Sequence, residues 1–270
     1  MTRRVLALTA GRIVTEHLGR PLDGFPAVAV LAHWSDRPAV SLSARRLVEE
    51  LTSAGFAVLV VSASPAAEPL DWADVDLAAV TVLRKPNVGY DFGSWAIGLD
   101  WLVPQVVRRA RVLLVNDSLV GPFATLRPWL EQFCSSGADV WGLTQTAQFA
   151  CHLQSYMMGF APGVLCERPL RWFWQTVRHH DDKDLVIHRN EIGLGRLLAA
   201  EGYAVDAAFP VGTVVDWRDN PTIIGWRQLF DRGVPLVKRE LVRNPDLAPD
   251  GSAVADEILR RFGAKVEQWV

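Results

Sequence analysis

The chain has 270 residues, half of them hydrophobic, with 28 basic side chains against 30 acidic ones. This is the composition of a globular chain long enough for a sizeable core, and the near balance of charge gives no overall basic footprint for nucleic acid. No apolar run approaches the roughly 18 residues that span a bilayer, so membrane contact can only be peripheral.

In chain order, residues 1–10 imitate the basic and apolar parts of a signal peptide, but Arg12 interrupts the run early and secretion is not expected. Ala27 to Trp34 is a continuous apolar run bounded by Pro26 and by Ser35-Asp36-Arg37-Pro38, as expected of a first strand buried on both faces. Ser41 to Ala54 has helical spacing, a capping serine and a stop at Gly55. Phe56 to Ser62 and Ala78 to Leu83 read as the next strands, then a helix from about Gly93 and a strand from Arg111 to Val115. This βαβ rhythm predicts a mostly parallel sheet flanked by helices. Beyond it the apolar runs shorten. Asp139 to Leu143 and Ser155 to Phe160 suit strands, Pro169 to Arg178 and Ile192 to Ala200 suit helices, and Tyr203 to Phe209 returns to the sheet. Ser252 to Phe262 closes the chain as an amphipathic helix, with Val254, Ile258, Leu259 and Phe262 on one face. Cys134, Cys151 and Cys166 cannot all pair and match no zinc spacing; buried, reduced thiols in a cytoplasmic setting are expected.

Arg84 to Pro122 carries the candidate site. Asn116-Asp117-Ser118 ends an apolar strand with a carboxylate, at the edge where open α/β sheets hold ligands. Asn87, Gly89, Tyr90 and Asp91 form a second polar cluster at the end of the preceding strand, and both edges should face one crevice. Turn chemistry alone would also select Asn, Asp and Gly here.

Six motifs in one order carry a resemblance: Pro86 to Trp95, Leu114 to Pro122, Val140 to Thr144, His152 to Tyr156, Asn190 to Leu194 and Val234 to Leu241. Over about Ala27 to Pro245 the chain resembles the rhamnan synthesis F family of bacterial glycosyltransferases and, more loosely, family-2 glycosyltransferases. The resemblance implies a single GT-A-like, Rossmann-type domain. Its nucleotide-sugar-binding half would cover about residues 26–122 and a mixed acceptor half about 123–215, with a largely helical extension over about 216–270. It further implies transfer of L-rhamnose from dTDP-L-rhamnose to a saccharide or lipid-linked saccharide acceptor, with inversion, in cell-surface polysaccharide synthesis on the cytoplasmic side of the membrane.

A nucleotide-sugar donor leaves as a diphosphate, whose developing charge needs a cation or fixed donors. Asp117 is the candidate ligand for magnesium or manganese, although Ser118 stands where the family-2 pattern has a second acid. Arg84, Asn87, Gly89, Tyr90, Asp91, Asn116, Ser118 and Lys238 are the other candidate donor contacts, with Arg239 and Arg243 able to fold over the diphosphate. Glu191 is the candidate general base, placed at a helix start where the macrodipole favours its ionised form. His152, Gln154 and Tyr156 are candidate acceptor contacts. The charge cluster from Arg178 to Lys183, with His179-His180 and Asp181-Asp182, reads as a solvated loop rather than a metal site. A second class of function stays open at this point: a non-catalytic nucleotide-sugar or glycan-binding module acting with a partner transferase. A Rossmann dehydrogenase is disfavoured because no Gly-x-Gly-x-x-Gly follows the first strand.

Overall fold

The computed structural model describes residues 3–270. Eight strands lie along one twisted path and a ninth pairs at its side. In chain order these are β1 (Val14–His17), β2 (Ala27–His33), β3 (Ala57–Ser62), β4 (Val80–Arg84) and β5 (Arg111–Asn116). The short β6 (Leu119–Val120) leaves the sheet, and β7 (Val140–Thr146), β8 (His152–Leu153), β9 (Met157–Phe160) and β10 (Val205–Phe209) complete it. The order is β1-β4-β3-β2-β5-β9-β7-β10, with β8 on β7. β4, β3, β2 and β5 are parallel, as is the β7–β10 pair; β9 runs antiparallel between β5 and β7.

Apolar side chains alternate between two cores, as a sheet covered on both faces requires. From β2, Val28 and Val30 enter one core, and Ala29 and Leu31 the other. The first face is covered by α1 (Val5–Thr9), α3 (Tyr90–Trp101), α4 (Pro104–Arg109), α6 (Arg168–Gln175) and α8 (Ile192–Glu201). Gly98 of α3 packs directly on Val30, where a Cβ would not fit. The second face is covered by α2 (Leu42–Ser53), α5 (Arg127–Ser135) and α9 (Trp226–Asp231). Ser41 Oγ caps α2 by accepting from Ala44 N–H, and the helix stops before Gly55 at φ +87°.

The C-terminal segment forms a third cluster around Trp226, Phe230, Leu241 and Ile258. It carries β11 (Val237–Lys238), α10 (Arg239–Arg243) and α11 (Val254–Phe262). β11 pairs antiparallel with β6, which brings the tail back over the end of β5.

Several expectations are corrected. Ala27–His33 is the second strand, because residues 14–17 form an antiparallel edge beside β4. The apolar residues near the amino terminus fold as α1, whose Val5 is fully buried. The helix expected from Gly93 begins at Tyr90. Leu259 points to solvent, while Val254 and Ile258 are buried. Cys134 and Cys151 are exposed and Cys166 is half-buried; Cys134 lies on the outer side of α5, whose inner side is Leu130 and Phe133.

Candidate active site

Two carboxyl edges meet through side chains. Asn116, buried at the end of β5, donates from Nδ2 to Asp91 Oδ2 at 2.7 Å, and its Oδ1 accepts from Ser118 N–H at 3.1 Å and Ser118 Oγ–H at 2.6 Å. Asp91 stands in the first turn of α3. Burial raises its pKa to about 6; the carboxylates of Asp117 and Glu191 push the same way, and Lys238 and the Asn116 amide oppose.

The entry into α3 is unusual. Gly89 at φ +83° is followed by Tyr90 at φ +50°, a left-handed conformation that costs a non-glycine residue about 1 kcal/mol or more. A Cβ on Gly89 would lie 2.6 Å from Val5 Cγ2, so α1 leaves room there only for hydrogen. Gly89 N–H donates to His179 Nδ1 at 3.1 Å, and the Tyr90 hydroxyl donates to Asp181 O at 3.1 Å. The loop before α7 (Lys183–Val186) is thereby fastened beside the crevice.

The returning tail supplies the cations. The Lys238 ammonium sits 5.2 Å from the Tyr156 ring centroid; burial lowers its pKa, and the carboxylates of Glu191 and Asp91 act against that. Arg239 donates from Nε and Nη2 to Asp117 O at 3.2 and 3.1 Å. Glu191 closes a π-helical turn, Ile187–Glu191, that continues directly into α8. It is therefore inside a continuous helical segment, and the helix-start dipole expected for it does not apply. Its Oε1 accepts from Ser155 N–H at 2.8 Å and lies 3.9 Å from His152 Nε2.

Tyr90, Asp91, Asn116, His152, Glu191 and Lys238 line one crevice of about 570 Å³. A second cavity of about 530 Å³, lined by His33, Trp34, Arg45 and Asp117, adjoins it, and Ser118, Arg239 and Arg243 line both. Asp117 faces the second cavity: its Oδ2 accepts from Trp34 N–H at 2.8 Å. Burial raises its pKa to about 6, against the Trp34 N–H and the Arg239 charge. The carboxylate that shares a crevice with Glu191 is thus Asp91, and Asp117 lies beyond the ridge of Ser118, Arg239 and Arg243.

The other expected site residues divide. Arg84 is occupied by an ion pair to Glu16 at 2.6 Å and by the carbonyls of Ser64 and Glu68, so it braces β1 and a loop instead of meeting a donor. Gly89 serves the packing of α1, and Asn87 is an exposed turn residue outside both cavities. Gln154 spends its amide on Thr144, Asn220 and Thr222. Tyr156 is buried with its hydroxyl on Thr144, and it reaches the crevice only through the ammonium over its ring. His152 lines the crevice, with Nδ1 2.7 Å from Ala150 O. As a metal ligand Asp117 is poorly placed, because Arg239 and Arg243 already stand around it; among the described residues no three His, Cys, Asp or Glu side chains converge on a metal position. Asp117 thus offers a single carboxylate at this position, without a protein-built ligand set around it. Trp34, half-exposed on its cavity, is not among the residues expected from the sequence; an aromatic residue immediately after a fully buried strand is the available signal.

The family model described as rhamnan synthesis protein F matches residues 58–265. The chain is similar to virulence protein VirA of Vibrio anguillarum, 30% identical over 221 residues that span 69% of this chain and 70% of that one. It is also similar to uncharacterized protein y4gN of Sinorhizobium fredii, 25% identical over 188 residues, or 68% of this chain and 49% of that one. Among solved structures, a Desulfovibrio desulfuricans protein named for nucleotide-diphospho-sugar transfer aligns at a TM-score of 0.35 and 12% identity, over 87% of this chain and 97% of that one.

Proposed function

The chain belongs to the rhamnan synthesis protein F family, and from that premise we propose that it is a glycosyltransferase that moves L-rhamnose from dTDP-L-rhamnose to a saccharide acceptor, in the synthesis of a cell-surface polysaccharide. One observation carries the reading. Two carboxylates, Asp91 and Glu191, flank the Lys238 ammonium in a crevice that continues, across Ser118, Arg239 and Arg243, into a cavity floored by Trp34. A nucleotide-sugar needs such a divided site: an aromatic and polar recess for the nucleoside, cations for the diphosphate, and a carboxylate-bearing chamber for sugar and acceptor.

In this arrangement the base stacks on Trp34 and the diphosphate crosses Arg239 and Arg243. Asp91, held by Asn116, receives the sugar hydroxyls. Glu191 takes the proton of the acceptor hydroxyl as its oxygen attacks the anomeric carbon from the face opposite the departing diphosphate, which inverts that centre. The charge developing on the leaving group is met by Lys238, Arg239 and Arg243, so turnover is expected to survive EDTA.

The test is a thermal-shift series with dTDP, UDP and GDP, followed by donor consumption with and without acceptor. A nucleotide at a hundred times its dissociation constant stabilises by about 2.7 kcal/mol. The expected result is a shift strongest with dTDP, abolished by Arg239→Ala, and slow hydrolysis of dTDP-L-rhamnose. A shift without any donor consumption would support the binding-module reading, and no shift with any nucleotide would remove the transferase reading.

A further inference from the structure

Away from this crevice, the layer of α1, α3, α4 and α6 carries a surface that glycosyl transfer does not use. Leu6, Leu99, Leu102, Val107, Leu165 and Trp174 line an open groove of about 270 Å³, with Arg108 and Arg171 at its rim. Around it stand exposed apolar side chains: Trp172 is 61% exposed, Val103 52% and Trp101 36%. Arg4 stacks over the Trp172 ring at 5.3 Å, and Arg109 and Arg168 are exposed on the same helices.

The arginines of this face differ from those that brace the fold, such as Arg46, Arg84, Arg127, Arg227, Arg260 and Arg261, which are paired with carboxylates. Among the described residues, Arg108, Arg109, Arg168 and Arg171 have no carboxylate within ion-pair distance. The acids nearby are Asp100, in the groove, and Glu167, which accepts from the Tyr203 hydroxyl at 2.7 Å. A chain with a formal net charge of −2 therefore presents one strongly positive face interleaved with tryptophan.

We infer that this face docks on an anionic phospholipid membrane, with the arginines on the headgroups, Trp101 and Trp172 at the interface, and the groove receiving part of an acyl chain. Charge complementarity and interfacial tryptophan are what such a surface selects. A second copy is a poorer occupant, because a symmetric pairing would set arginine against arginine. Nucleic acid would use the cations but leave the apolar groove and Val103 unmatched. α3 joins this face to the crevice: Asp91 lies in its first turn and Trp101 ends it, about 15 Å further along the helix. Docking therefore leaves the crevice open.

The test is co-sedimentation of the full chain with vesicles of phosphatidylcholine alone and of phosphatidylcholine with phosphatidylglycerol. Binding should require phosphatidylglycerol and weaken with salt. The double variant Arg108→Glu/Arg171→Glu should lower partitioning at least about tenfold, and Trp172→Ala by a smaller factor. The independent pair Arg109→Glu/Arg168→Glu should behave in the same way, with unchanged melting temperature and unchanged nucleotide shift in each variant. Equal binding to uncharged vesicles, no binding to charged ones, or binding that survives both charge reversals would overturn the inference. So would a concentration-dependent dimer, or DNA binding without vesicle binding, that the same variants abolish. The readout needs no donor sugar and stands apart from the transferase reading.

Discussion

Two groups of carboxylates in this protein are pushed in opposite directions. In the C-terminal cluster, Glu257 accepts from Arg260 and Arg261 and lies 3.5 Å from Arg227, and the Arg260 and Arg261 hydrogen bonds pull its pKa down to about 2. At the crevice, Asp91 and Asp117 are raised to about 6, because burial outweighs the cations that face them. The first arrangement saturates a charge and fixes a fold. The second holds charge in reserve for a ligand, and that imbalance is what marks a working site.

The largest effect that can break this contrast is at Glu191. Glu191→Gln should keep the melting temperature and lower turnover by roughly 10²–10⁴, the range for a lost general base, measured as dTDP release with saturating acceptor; unchanged turnover would remove Glu191 from the chemistry. Arg84→Met tests the opposite kind of residue. It strands Glu16, 15% exposed, without its cation, and should cost about 3 kcal/mol in denaturant melts while leaving the Michaelis constant for the donor unchanged. Lys238→Met should slow turnover about 10²-fold, as removal of one stabilising donor does.

A smaller effect concerns Asp91 and carries a sign. Its folded pKa lies above the usual 3.8, so its contribution to stability is full below pH 4 and is lost as the pH rises through about 6. Asp91→Asn should therefore raise stability by about 3 kcal/mol at pH 8, a little over two pKa units' worth, and by almost nothing at pH 4 and below, in melts across that range. Glu257→Gln should show the reverse dependence: a loss at neutral pH that fades as the wild type is itself acidified through about 2.

The sheet was legible where strands are apolar on both faces. Ala27 to His33 and Ala57 to Ser62 can hardly be anything but interior strands, and the Ser41 cap announced α2. β1 was not legible, since Val14-Thr15-Glu16-His17 is half-exposed and owes its pairing to β4, far along the chain. The start of α3 was misplaced because Gly89 precedes it and its first residue, Tyr90, is left-handed, where helix signals normally read as a turn. Arg84 and Gln154 look like ligand contacts in a motif, but their partners, Glu16 and Thr222, are 68 residues away on either count. Sequence spacing could nominate Asp117 and Glu191; only the Trp34 N–H, 83 residues from Asp117, shows which way that carboxylate turns.

The π-helical turn that ends at Glu191 has an evolutionary corollary. A π turn behaves as an α-helix carrying one inserted residue. Deleting any single residue between Ile187 and Asn190 would restore the regular winding with little change of phase between the flanking turns, because the wide turn already absorbs the extra residue. The hydrophobic seam of α8, through Leu194 and Leu198, would be preserved. Whether a homologue retains the extra residue is thus a one-letter diagnostic, readable from an alignment, for separating members that present their acid from a widened turn, as this one does, from those whose helix winds regularly there.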